Sequence, residues 1–278
     1  MNNFKSTSKL FILLLTVAGC QKSNDNTTTG NPVVSLAATS SASSATIATF
    51  KPSLLDLILP KAIAYPAPAT LLDSAGNTVV IQSLWVNFGQ IEFKFDEVHS
   101  GSEVDGDNIE FFGAHSIDLL SPAPTTFVSG PINVTQIRRI KLKLIRTSIL
   151  PAGAPSGFLN KSIYIQGTVN GNSFTYSTQD ETEIEIAGPQ IVNATQNSTL
   201  LIELRIANLI KKSNLSAIVS TTNINESNRI PYSNPCNTIN ASASDLFTCF
   251  RSGFQTESNL GRDDDGNFQL DAGENTVK

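Results

Sequence analysis

Ile91, Phe93 and Phe95 alternate with Glu92, Lys94 and Asp96 in the stretch IEFKFD. Successive side chains of a strand leave opposite faces of a sheet, so period-two alternation marks a strand with one face buried and one wet. The pattern returns in IRRIKLKLIR, Ile137 to Arg146, and in TEIEIAG, Thr182 to Gly188. SIYIQGTVNGNSFTYST reads as two strands around Asn170-Gly171. That dipeptide is a hairpin signal because both central residues of the turn need positive φ. IEFF, SIDLLS and TLLIELRIANL add further short apolar runs, with turn residues between them and no alternating helices. The expected fold is mainly β: an antiparallel β-sandwich of about seven strands over residues 51–225. Hydrophobic residues make up 40 % of the 278, enough for one sizeable core.

The chain begins MNNFKSTSKLFILLLTVAGC. Lys5 and Lys9 precede a short apolar run, Leu10 to Val17, and small residues follow. This is the build of a secretory signal peptide over residues 1–19, and the run is too short to span a bilayer. Its end, Val17-Ala18-Gly19-Cys20, resembles the lipobox of bacterial lipoproteins. The resemblance implies cleavage before Cys20, diacylglycerol on its sulfur, and a membrane partner held through acyl chains. Gln21, rather than Asp, after that Cys implies an outer-membrane destination by analogy with enteric bacteria. One acyl chain alone holds only marginally, whereas two or three anchor a protein almost permanently.

Three cysteines are present, Cys20, Cys236 and Cys249. With Cys20 lipidated, Cys236 and Cys249 are left to pair in an oxidising compartment; two free thiols are the other reading. Residues 20–50 are rich in Ser, Thr, Asn and Ala without hydrophobic period, the composition of a flexible tether. Leu54 to Leu59 allow a turn or two of helix before Pro60. The order WVNFGQIEFKFD, IDLLS, IRRIKLKLIR, SIYIQGTVNGNSFTY, TLLIELRIANLI is similar to a group of bacterial lipoprotein domains of unknown function. That resemblance implies a prealbumin-like or immunoglobulin-like β-sandwich, and no catalytic motif comes with it.

Formal charge is −5, and it becomes −7 without the leader, which carries two lysines and no acid. The one sizeable basic cluster, Arg138 to Arg146, alternates with Ile140, Leu142 and Leu144, so its charges line one strand face. Nucleic-acid binding, which needs clustered Lys and Arg, is not expected.

Residues 226–278 are expected to form a disulfide-pinned helix and an acidic tail. In ASDLFTCFRSGF, Leu246, Phe247, Phe250 and Phe254 make a stripe near helical spacing, and Asp245 or Ser244 is placed to cap it. The tail holds DDDGNFQLDAGE, Asp263 to Glu274. A twelve-residue EF-hand loop takes ligands from positions 1, 3, 5, 7, 9 and 12. These fall on Asp263, Asp265, Asn267, the Gln269 carbonyl, Asp271 and Glu274. Hard oxygen ligands at this spacing suit Ca²⁺. Two departures weaken the match. Phe268 stands at position 6, where Gly is wanted, and a left-handed non-Gly residue costs about 1–2 kcal/mol. Only four residues follow Glu274, too few for an exiting helix. A solvated acidic tail is the plainer reading.

For catalysis, the remaining combination is His99, beside Asp96, Glu97 and Glu103, with His115 near Asp118. A metal-dependent hydrolase would need these to converge, and no HExxH or G-x-S-x-G spacing supports one. The expected function is therefore non-catalytic: a lipid-anchored envelope protein, serving as a structural module or binding a protein or glycan through loops such as 97–108 or 147–160. The binding role predicts an exposed apolar patch on such a loop.

Overall fold

A computed structural model describes residues 33–40, 70–95, 109–121, 124, 126–132, 136–195, 197–236 and 238–278. The leader, Cys20, Leu54–Leu59 and His99 lie outside the described residues.

The longest strand is β3 (Thr78–Phe95), whose alternation puts Ile91 and Phe93 in the core. Glu92 and Lys94 on its other face form an ion pair at 2.9 Å. The strand has two flanks, and both are used. On one lie β2 (Thr70–Leu72), opposite 78–80, and β4 (Ile109–Asp118), opposite 85–93. The other flank is divided. β7 (Ile163–Val169) pairs with residues 79–86, and β6 (Gln136–Leu144) takes over at Phe88. Outside β7 come β8 (Asn172–Thr178) and, parallel to it, β11 (Thr222–Ile224). Outside β6 comes β9 (Glu183–Asn193).

Asn87 sits at the handover and is buried. Its backbone N–H donates to Ser162 O at 2.9 Å, and its carbonyl accepts from Ile145 N at 3.0 Å. Its side-chain amide donates to Ile145 O at 3.1 Å, and its Oδ1 accepts from Ser116 Oγ at 2.9 Å. One buried polar residue thus satisfies the groups left over where two partner strands meet.

A second, four-stranded sheet has the order β12 (Ser258–Asp263), β10 (Ser198–Leu204), β1 (Val33–Ser40), β5 (Val128–Pro131). β1 runs parallel to β10 and antiparallel to β5. Three expectations are corrected here. Val33–Ser40, placed within a flexible tether, is a largely buried strand. The described residues hold twelve strands, not about seven, and the β1–β10 and β11–β8 pairings make the sheets mixed rather than antiparallel. The end of TLLIELRIANL does not continue the strand: α1 (Ile206–Lys212) starts there and buries Ile206, Leu209 and Ile210.

The hairpin at Asn170-Gly171 has positive φ at both residues, 48° and 84°, as its sequence requires. The second helix, α2 (Leu246–Thr256), is capped by Asp245, whose carboxylate accepts from Thr248 N. Its apolar stripe covers β8: Tyr176 lies 5.0 Å from Phe250 and 5.6 Å from Phe247, centroid to centroid. One continuous core takes side chains from both sheets and both helices.

Asn87→Leu keeps the side-chain branching and removes the amide, leaving Ile145 O and Ser116 Oγ without this partner. Both groups are only partly buried, so each costs less than the roughly 1–3 kcal/mol of a fully buried orphan. The expected outcome is a lower urea-unfolding midpoint; an unchanged midpoint would show that Asn87 is not needed at the handover.

Candidate metal centre

The acidic stretch begins where β12 ends. Asp263, buried, closes the strand and turns its carboxylate into the loop that follows. Its Oδ1 accepts from Gly266 N at 2.8 Å and its Oδ2 from Phe268 N at 3.1 Å. Asp265 Oδ1 accepts from Asn267 N at 3.1 Å, and Asn267 Oδ1 accepts from Gln269 N at 2.7 Å. Glu274 closes the ring, its two oxygens accepting from Asp264 N at 2.8 Å and Asp271 N at 2.9 Å. The Asn267 amide donates to Asp265 at 3.0 Å and to Asp271 at 2.7 Å. One ligand atom each from Asp263, Asp265 and Glu274 lies within 4.8 Å of the others.

The residues expected at positions 1, 3 and 12 of a calcium loop are therefore brought together, and those at 5 and 9, Asn267 and Asp271, are bonded to the group. Gln269, expected at position 7, sits between them with its N–H on Asn267. Phe268, the residue that breaks the motif, nonetheless adopts φ of 60°. The backbone takes the left-handed turn that position 6 demands, at the steric cost of a side chain. Asp264, in the middle of the acidic run, turns away to pair with Arg262, which raises the guanidinium pKa. Leu270 packs over Gly261, where a Cβ would come within 2.7 Å of it.

Beyond Glu274 the chain does not leave as a helix. It returns along β12: Arg262 N donates to Asn275 O and Val277 N to Leu260 O, both at 2.9 Å. Its other edge meets β9. Gln190 N donates to Val277 O at 3.3 Å, and the Asn275 amide donates to Ile191 O at 2.8 Å. Gly188 makes this approach possible, because a Cβ there would stand 1.8 Å from Val277 O. The loop is thus the turn between β12, of the four-stranded sheet, and a terminal segment that also holds the edge of the eight-stranded sheet.

One neighbour of the loop was missed from sequence. Glu203 of β10 is buried and pairs with Arg205 at 3.3 Å. Burial raises its carboxyl pKa, Arg205 opposes this, and Asp271 and Glu274 add to the rise. A lone acid within the apolar run TLLIEL was the available signal.

Cys236 and Cys249, expected as a disulfide, are buried thiols in one small cluster with Ala243. Of the residues named for a hydrolase, Asp96, Glu97, His99 and Glu103 lie outside the described residues, and the described ones do not converge. His115 packs on Phe127, centroids 5.5 Å apart, and burial lowers its pKa. Asp118 is three residues along the same regularly paired strand, so the two side chains leave opposite faces. Loop 147–160 does carry an apolar patch: Ile149 is 81 % exposed, Leu159 43 % and Leu150 37 %. Beneath it, Phe158 lies 5.7 Å from Trp85, centroid to centroid, and Thr147 and Lys161 are hydrogen-bonded across the loop's base.

No protein family, no curated protein and no solved structure matches this chain.

Because the Glu203 pKa is raised on folding, its charged form opposes folding. The effect is absent below the ordinary carboxylate pKa and develops as pH rises through the folded value. Glu203→Gln should therefore unfold at a higher denaturant concentration than the parent at pH 7 and lose that advantage in acid. An advantage that does not change with pH would exclude titration as its source.

Proposed function

We propose that the chain is a non-catalytic, lipid-anchored envelope protein, a binding or structural module built as a β-sandwich and clamped at its C-terminus by Ca²⁺. The observation that carries the calcium site is the convergence of Asp263, Asp265 and Glu274 around a backbone that is left-handed at Phe268. A divalent cation there would offset the repulsion among carboxylates now tied up by backbone N–H groups. Asn267 would turn its amide oxygen inward to serve as a ligand. The role is structural because the loop joins β12 to the segment that reaches β9. An ion that orders this turn stabilises the contact between the two sheets' edges. The support for a sandwich is the single core shared by the two sheets. The support for anchoring is the resemblance of Val17-Ala18-Gly19-Cys20 to a lipobox, after a stretch built like a signal peptide over residues 1–19.

Isothermal calorimetry on the full chain tests the metal. Saturable Ca²⁺ binding is expected, with a dissociation constant on the order of 10⁻⁴–10⁻³ M, as in extracellular modules. Glu274→Gln should abolish it, whereas Phe268→Gly should leave the dissociation constant largely unchanged and raise stability instead, because the left-handed strain is already present without the metal. No heat up to about ten times that concentration range would overturn the proposal. The anchor has its own test. Mass spectrometry of the protein from its host's envelope should find Cys20 as the first residue, carrying acyl chains. An unmodified Cys20 thiol would remove the anchor.

A further inference from the structure

The metal centre makes no use of the buried pair at the other end of α2. Cys249 lies in the first turn of that helix, its N–H on the carbonyl of the capping Asp245 at 3.2 Å. Cys236 sits in a separate loop, its carbonyl receiving the N–H groups of Ile239 and Asn240, each at 3.0 Å. Both sulfurs are shielded by Ala243 and Ile239. The Cys249 sulfur is 3.3 Å from Ser213 Oγ, at the C-terminus of α1, and 3.6 Å from Pro235 O. Pro235 O also accepts from Asn214 N at 2.7 Å. Three separate chain segments therefore converge on two neighbouring buried thiols.

We infer that Cys236 and Cys249 form a disulfide in the mature protein, locking the first turn of α2 to the loop carrying Cys236 and the end of α1. The two sulfurs are not equivalent. The neighbouring Cys249 lowers the Cys236 pKa, while the same neighbour and burial raise the pKa of Cys249, whose S–H is directed to Pro235 O. While the segment is open either thiolate can begin the exchange, for example Cys236. It attacks one sulfur of a small-molecule or protein disulfide, RSSR, and expels RS⁻. Cys249, after giving up its proton, attacks the Cys236 sulfur and expels the second RS⁻. Two protein thiols lose two electrons and two protons, and RSSR becomes two RSH. Because both sulfurs are buried, the exchange takes place while the segment around Cys236 is open, during or before its docking.

The inference assumes the exported location proposed above, and a two-part experiment separates them. The full chain is first reduced, unfolded and refolded in a buffer containing oxidised and reduced glutathione. The expected product is a monomer two hydrogens lighter than the reduced chain, with a Cys236–Cys249 linked peptide in a non-reducing digest. Its unfolding equilibrium constant should fall on the order of a hundredfold relative to the reduced chain, the effect of closing a loop of this length. Alkylation of both Cys236 and Cys249 after denaturation without reductant would overturn the inference, as would a covalent dimer linked through either of them. The second part alkylates the protein taken from its host. A pair that links in glutathione buffer but is reduced in the host would leave the pairing intact and count against export.

Discussion

Asn275 to Val277 hydrogen-bond on one side to β12 and on the other to β9. These few bonds occupy two exposed sheet edges at once, and an unpaired edge is a template for unwanted pairing. They also decide how the acidic loop is shaped. A calcium loop between two helices is oriented by helix packing. Here the loop is a turn between antiparallel neighbours, and Glu274 reaches back to Asp264 N only because the terminal segment is already laid along β12. Leu270 under the loop and Gly188 under Val277 are the steric conditions for that arrangement.

In the eight-stranded sheet, β3 is shared. Its N-terminal part belongs with β7 and its C-terminal part with β6, and Asn87 satisfies the backbone at the change of partner. From that junction springs loop 147–160, with exposed Ile149, Leu150 and Leu159 above a buried Phe158. The basic stripe on β6 is matched across the sheet by acids on β9: Arg139 meets Glu185 at 3.3 Å and Lys141 meets Glu183 at 3.1 Å. Partly exposed pairs of this kind contribute little stability. They do neutralise the charges that would otherwise have formed a basic face.

The β character, the Asn170-Gly171 hairpin, the Asp245 cap and the aromatic stripe of α2 were all legible, because each depends on residues close in sequence. The acidic loop was legible for the same reason, since its carboxylates and the N–H groups they accept from lie within twelve consecutive residues. The misreadings share a cause. VVSLAATS looks like linker because its alanines and serines are small, yet it lies between β10 and β5, where small side chains fit a crowded centre. The strand of the C-terminal segment, SNLGRD, lacks an apolar alternation and is recruited by pairing to β10. IANLIKK continues an apolar strand pattern, and only its packing as α1 shows that the period has changed.

By itself, the sequence determined what local chemistry can impose: alternating strands, left-handed turns, a capped helix, and a carboxylate spacing suited to a hard cation. Tertiary structure alone decided which strands share an edge, that β1 and β12 flank β10, and that the terminal residues touch both sheets. It also decided that Phe268 is held at positive φ. The physical reason is range. Hydrogen-bond pairing between strands and the closeness of Cys236 to Cys249 depend on residues brought together across the chain, and a local pattern holds no record of them.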